Sequence, residues 1–220
     1  MSFDFEFALQ ILPRVLAGIG TTILVAIFSF ICATALGFFW EMLRRSHRLM
    51  HPVTQFIIDA IRSTPVLVQV YFLFFVLPYY GVKLPAMFVG IFGLSFYFSG
   101  YISEVFKAGI DAIPAGQSQA ARSLGLGWFD TVAFVIAPQM LRNVAAPLGA
   151  FSVSILKSTP LLAVLGVPEM LGSALDVAAE TYRYAEPTVV SGILFLILAL
   201  IAVGFIGRLE RLLGLVTPQH

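Results

Sequence analysis

The chain has 220 residues, 59% of them hydrophobic and 11% charged, a balance that excludes an ordinary soluble domain. Mean hydropathy is +0.94, and windows of roughly 20 apolar residues, the length that crosses a bilayer core, recur along the chain. A net charge of +1 leaves no basic field for nucleic acid, and the single cysteine, Cys32, excludes a disulfide framework and a cysteine-built metal site. The N-terminal MSFDFEF carries acids where a signal peptide carries bases. By length the chain is a single domain over 1–220, and by composition an all-α integral membrane protein.

The first predicted span covers residues 12–43 and ends in the basic run Arg44-Arg45-Ser46-His47-Arg48. The second follows His51-Pro52 and reaches residue 77, where Pro78 and Gly81 mark a turn. The third occupies residues 86–106. A charged, glycine-containing stretch, 108–131, separates it from a fourth span over 132–165, which Pro138, Pro147 and Pro160 are expected to break, with its membrane part starting near Asn143. Residues 166–186 hold Glu169, Asp176, Glu180 and Glu186 and cannot span. The fifth span, 187–206, ends at Arg208-Leu209-Glu210-Arg211.

Lysine and arginine near the helix ends set the orientation. One side collects Arg44, Arg45, Arg48, Lys107, Arg122, Arg142, Arg208 and Arg211; the other has Arg14, Lys83 and Arg183 among several acids. The N-terminus is therefore expected outside and the C-terminus in the cytoplasm, which puts 108–131 in the cytoplasm.

Arg62-Ser63-Thr64-Pro65 and Lys157-Ser158-Thr159-Pro160 are each a base, Ser, Thr and Pro followed by two aliphatic residues. They sit in spans two and four, which run in the same direction. Proline removes one helix hydrogen bond and frees carbonyls that, in hydrocarbon, need protein or cavity water as partners. Two readings stand. Either the two breaks meet in a substrate site or gate, where a base, hydroxyls and a resumed helix N-terminus suit a carboxylate, or they are proline kinks whose bases reach the headgroups.

Other candidates have ordinary accounts beside functional ones. Glu104 and Lys107 have the spacing of a helical ion pair, with gating as the rival role. Ser95, Ser99 and Ser103 with Gly93 and Gly100 form a small-residue face suited to helix packing, including packing to a second subunit, with a polar pathway as the rival reading. His47 and His51 share the spacing of a zinc pair but lack a third ligand nearby, so no metal site is expected. Asp176, Glu180 and Arg183 read as a solvated face or a contact for an extracytoplasmic partner. No lysine follows glycine as in the G-x-x-x-x-G-K phosphate loop, and no nucleophile elbow or H-E-x-x-H occurs, so no catalytic residue is expected. The energy for any transport has to come from another chain or from an ion gradient.

Residues 101–138 contain Gln119-Ala120-Ala121, Gly125 after three intervening residues, and Val135-Ile136-Ala137-Pro138 after nine more. This spacing resembles the E-A-A-x3-G-x9-I-x-L-P signature of permease subunits of bacterial ABC importers, with Gln119, Val135 and Ala137 departing from it. Leu12-Pro13-Arg14 with Gly20-Thr21-Thr22, Arg62-Ser63-Thr64-Pro65 with Gln69, the run from Glu104 to Gly116-Gln117, Pro138-Gln139, Lys157-Ser158-Thr159 and Leu209-Glu210-Arg211 are similar to the polar amino-acid branch of that family. The resemblance implies the type I importer fold, with five transmembrane helices per subunit. It also implies a homo- or heterodimer of permeases, two cytoplasmic ATPases that carry ATP and Mg, an extracytoplasmic substrate-binding protein, and the bacterial inner membrane as location. A coupling helix at about 115–126 would dock in a groove of the ATPase through Gly116, Gln117, Gln119, Ala120, Ala121, Arg122, Leu124 and Gly125. Gln119 in place of the acid keeps that contact polar and removes a charge. Arg62, Ser63, Thr64, Lys157, Ser158 and Thr159 are the candidate substrate-binding residues. Members that handle basic amino acids often carry an acid directly after the lysine; Ser158 stands there, which implies a neutral or zwitterionic solute such as a polar amino acid or an ectoine-like compatible solute. The alternatives from other classes are an ion-coupled secondary transporter, for which only Asp59 and Glu104 offer membrane-embedded acids, and a membrane scaffold.

Overall fold

Asp4 starts the first helix. Its carboxylate accepts from the Phe7 N–H at 3.0 Å, and α1 runs Phe5–Ala17. That hydrogen bond, and next Arg183, hold the Asp4 carboxyl below its usual range against the opposing effect of desolvation. The computed structural model describes residues 3–212, and no strand occurs among the described residues.

After Gly18 the chain continues as α2, Ile19–Ser46. A helical run from Phe5 to Ser46 holds 42 residues, about 60 Å at 1.5 Å per residue and twice a hydrocarbon core. The first expected span is thus carried mainly by α2. Ala8, Ile11 and Val15, one face of α1 by their spacing, pack on Met170, Ala174 and Val177 of α9 (Met170–Thr181) and on Val190 of α10 (Ala185–Leu212). The section expected not to span, 166–186, contains α9. It begins with fully buried Glu169, whose carboxylate accepts from the Leu171 and Gly172 N–H groups at 3.0 and 2.6 Å. Of the charges expected at this end as a solvated or partner face, Glu180 and Arg183 are paired within the chain, Arg14 to Glu180 through two bonds of 2.6 and 2.8 Å, and Arg183 to Glu186 and Asp4 at 2.7 and 3.2 Å.

The second span is bent. α3 (Met50–Ser63) and the run beginning with α4 (Val66–Tyr71) meet at 95° across Thr64-Pro65. Ile61 C=O would ordinarily bond the N–H that Pro65 lacks; Gln69 Nε2 donates to it at 2.9 Å instead, and to Thr64 C=O at 3.2 Å. A π turn, Phe72–Val76, and a 3₁₀ turn, Leu77–Tyr80, finish this arm.

α5, Ala86–Asp111, fills the centre and packs along α2. A Cβ on Gly37 of α2 would lie 2.7 Å from Ile102 Cγ2, so the two helices approach only because that position is glycine. Ser95, Ser99 and Ser103 are buried in the same contact: Trp40 Nε1 donates to Ser99 Oγ at 3.1 Å and Ser95 Oγ lies 3.3 Å from Ser29 C=O. The small-residue face therefore serves packing inside this chain, and its expected use toward a second permease is corrected.

Beyond α5 come α6 (Ala115–Ser123), the single turn α7 (Trp128–Asp130), a π turn Thr131–Ile136 and α8, Ala137–Ser158. Of the three expected proline breaks in span four, none ends the helical run. Pro138 directly follows the π turn, where the winding changes to that of α8, Pro147 is accommodated inside α8, and at Pro160 α8 gives way to a 3₁₀ turn, Thr159–Leu165. Among the described residues four helical segments are long and apolar enough to cross a membrane, and the bent pair brings the number up to five.

Candidate functional site

α6 stands off the bundle. Gly116, Gln117, Gln119, Ala120, Arg122, Leu124 and Gly125 are exposed, and Ala121 is the one buried residue of the helix. The helix stops earlier than the expected 115–126, for a local reason. Gly125 adopts φ +77°, its N–H bonds Arg122 C=O at 2.9 Å, and Leu126 N–H bonds Ala121 C=O at 3.1 Å. Those two bonds across a left-handed glycine make a Schellman stop. Gln139 Nε2 lies 3.3 Å from Gln117 Oε1 and donates to Val135 C=O at 2.8 Å, tying α6 to the start of α8. Trp128 and Phe129, just after the glycine stop, and Phe134 farther on are exposed; they were not among the expected residues, although two aromatics soon after a glycine stop are a readable signal.

A cavity of about 590 Å³ opens between α3, α5 and α8, lined by Arg62, Tyr101, Glu104, Asn143, Pro147 and Phe151 among others. The Arg62 guanidinium sits 5.2 Å from the Tyr101 ring centroid, and the Tyr101 hydroxyl donates to Arg62 C=O at 3.1 Å. Arg62 Nη1 is 3.9 Å from both Asp59 and Glu104 carboxylates, and its Nε is buried with no hydrogen-bond partner among the described residues. Asn143 Nδ2 donates to Gly109 C=O at 2.9 Å. This wall presents a cation, an acid, a hydroxyl-bearing ring and an amide over a short distance, suited chemically to a small zwitterion.

Glu104 is held from behind. Arg44 Nη1 donates to it at 2.7 Å and to Gln55 Oε1 at 2.7 Å, while the rest of the Arg44 guanidinium grips Glu41. The Arg44 and Glu41 side chains are each 1% exposed. Arg45 bridges Glu41 and Asp111. The expected pairing of Glu104 with Lys107 is corrected: Arg44 and Arg62, from two other helices, take the carboxylate. A glutamate and an arginine one turn apart at the end of an apolar span were the available sign of this network.

The second base-Ser-Thr-Pro segment lies elsewhere. Lys157 is exposed and lines a separate groove of about 440 Å³ between α8 and α10, with Ser154, Val203 and Glu210. Ser158 and Thr159 hydroxyls donate back to Ser154 and Leu156 carbonyls, each at 2.9 Å. Ser63 is exposed, and the Thr64 hydroxyl donates to Ala60 C=O at 2.9 Å. Of the six candidate substrate residues, only Arg62 lines the central cavity, and within one chain the two segments do not meet. His47 Nδ1 accepts from Leu49 N–H at 3.2 Å, and no metal-holding group of three or more ligands assembles among the described residues.

Residues 33–214 match the family described as the inner membrane component of binding-protein-dependent transport systems. The chain belongs to that family. This transport component is 39% identical over 201 residues to a probable amino-acid ABC transporter permease of Sinorhizobium fredii, covering 90% of this chain and 87% of that one. It is 28% identical over 210 residues to the arginine transport system permease ArtQ of Bacillus subtilis, covering 94% and 95% of the two chains. A crystal structure of an amino acid ABC transporter with histidines superposes with a TM-score of 0.88 at 28% identity, over 96% of this chain and 99% of that one. An inward-facing MetNI methionine ABC transporter shares the fold at a TM-score of 0.70 and 16% identity, over 99% and 100% of the two chains. The chain is a non-catalytic ABC-type permease component.

Proposed function

We propose that this chain is the transmembrane permease subunit of an ATP-driven importer of amino acids or similar small zwitterionic solutes in the bacterial cytoplasmic membrane. Its N-terminus lies outside and its C-terminus in the cytoplasm, as the distribution of lysine and arginine supports. α6 is the coupling helix, seated on a separate ATPase subunit that carries ATP and Mg. A second permease copy or homologue completes the pathway, and an extracytoplasmic binding protein delivers the solute. The single observation that carries this reading is the exposed α6, stopped by left-handed Gly125 and set beside exposed Trp128 and Phe129.

The solute path runs past Arg62, Tyr101 and Glu104, with Arg62 for the carboxylate and Glu104 for the amino group. The relatives named for amino acids support that solute class; Ser158 beside Lys157 supports a neutral or zwitterionic one. An ion-coupled carrier is disfavoured because Glu104, one of the two candidate coupling acids, is shared by Arg44 and Arg62.

Co-purification tests the assembly: an ATPase chain is expected to accompany this one. Gly125→Trp is expected to insert normally and to uncouple ATP hydrolysis from uptake, because a side chain at φ +77° is strained and displaces the stop of α6. Unchanged coupling in that variant removes α6 from the role. Uphill accumulation by vesicles that hold this chain and no ATPase overturns the whole reading. Competition among arginine, glutamine and ectoine for the binding protein tests the solute class; a clear arginine preference overturns the zwitterion assignment.

A further inference from the structure

At the end of α2 a second basin of about 600 Å³ lies between α2, the α2–α3 turn and the last turns of α5, and it shares no lining residue with the Arg62 cavity. Four permanent cations line it, Arg44, Arg45, Arg48 and Lys107, together with His47 and His51, against the carboxylates of Glu41 and Asp111. The two acids are already engaged by Arg44 and Arg45. Arg48 and Lys107 form no ion pair among the described residues, so the basin holds cationic capacity that the protein itself does not use. The buried Glu41–Arg44 pair fixes the floor, which makes this a shaped site rather than a set of loose surface side chains.

The surroundings identify the anion. His47 and Arg48 of the α2–α3 turn and His51 of the first turn of α3 line the basin. Next to these, Leu49, which caps α3, and Val53 and Phe56 within it stand 69%, 52% and 74% exposed at i, i+4 and i+7, one face at helical spacing. An anionic pocket occupant beside an exposed apolar face at the end of membrane-crossing helices matches a molecule with a charged head and hydrocarbon tails. Basic pockets between helices at a membrane surface take anionic lipid headgroups.

We propose that this basin is a binding site for the phosphate headgroup of an anionic phospholipid, held by Arg48 and Lys107 over the Glu41–Arg44–Arg45 floor. The site needs only that the chain lies in a bilayer, so it stands independently of the solute and coupling readings.

The test is lipid retention by the full chain, with any subunits that accompany it, in nanodiscs of phosphatidylethanolamine doped with phosphatidylglycerol, read by native mass spectrometry. The wild type is expected to keep phosphatidylglycerol selectively. Arg48→Gln and Lys107→Gln are each expected to weaken retention roughly fivefold, and the double variant by their product. Arg142→Gln with Arg208→Gln, equal in charge removed and outside the basin, is expected to leave retention unchanged. If that control loses lipid as the double variant does, the attraction belongs to the general surface potential and the site is overturned. Inorganic phosphate at constant ionic strength is expected not to compete; displacement by phosphate alone would assign the basin to a soluble anion and overturn the lipid. If the basic variants lose an accompanying ATPase while lipid retention is unaltered, the basin is a protein contact and the proposal fails. Unfolding temperature in pure phosphatidylethanolamine, expected to be unchanged in all variants, separates lost binding from lost folding.

Discussion

Arg62-Ser63-Thr64-Pro65 and Lys157-Ser158-Thr159-Pro160 are nearly the same word with different structures. At the first, the chain turns by 95° between two helices; at the second, α8 tightens into a 3₁₀ turn and carries on. Both prolines orphan the carbonyl four residues back, and both orphans find a donor. Ile61 C=O takes the Gln69 amide from the next helix, whereas Leu156 C=O takes the Thr159 N–H and hydroxyl from directly beside it. A donor eight residues on requires the chain to fold back over the break, and a donor three residues on requires only a tighter turn. The bases differ accordingly. Arg62 is set against Tyr101 and Glu104 in a cavity, with a buried ion network behind it, while Lys157 lies on the outer face of α8. A local motif states where the helix bond is lost; the partner available to the freed carbonyl decides the shape.

The largest expected effect comes from the support under the first segment. Arg44→Met leaves buried Glu41 with Arg45 alone and removes the closer arginine from Glu104. Breaking a buried pair from one side costs about 3 kcal/mol or more, and replacing both partners by apolar residues recovers much of it. Thermal unfolding of Arg44→Met and of Arg44→Met with Glu41→Met checks both halves. A small loss in the single variant would mean that the Arg62 cavity is not anchored from α2. Next, Gln69→Leu strands two carbonyls beside the bend and is expected to cost about 1–3 kcal/mol, and Thr159→Val less, about 0.5–1 kcal/mol, because the Thr159 N–H still reaches Leu156 C=O. Equal losses would erase the distinction between the two breaks. Arg62→Gln, with the fold intact, is expected to lower apparent solute affinity roughly tenfold, the worth of one charge-assisted bond to a carboxylate.

Much of this fold was legible because long apolar runs bounded by lysine or arginine are a strong signal: the spans containing α5 and α10 follow from it, while the short α6 between them was implied only by the resemblance of 119–138 to the importer signature. The bend at Pro65 was legible as a break and illegible as an angle, since the angle depends on Gln69 reaching back. α1 was merged with α2 because Gly18 alone does not announce that Ala8, Ile11 and Val15 belong to a different packing partner. Arg44 read as the first letter of a basic run at a membrane border; its burial depends on Glu104, sixty positions along the chain. Tyr101 and Asn143 carried no motif and joined the site only through the crossing of α3, α5 and α8. The serine face showed its smallness plainly, and only the contact with Gly37, Trp40 and Ser29 told which helix it served.

The smallest expected effect falls on the second segment and is the most discriminating. Lys157 makes no ion pair among the described residues and is exposed on a face that, in one isolated chain, would meet hydrocarbon. A charge within a span is costly there unless it meets a partner or a water-filled space, so its position is reasonable only if the proposed second permease, or the path between the two, covers that face. In the isolated chain in detergent, Lys157→Gln is expected to shift stability by less than about 0.5 kcal/mol, the range of an ordinary exposed substitution. In the assembled permease pair the same change is expected to alter dissociation of the pair or solute affinity by several-fold, as removal of a desolvated charge contact does. Unfolding temperature of the single chain, set beside pair dissociation and uptake in the assembled transporter, measures both. If the assembled pair is as indifferent as the single chain, the path belongs to the Arg62 side and the second segment is only a tightened turn.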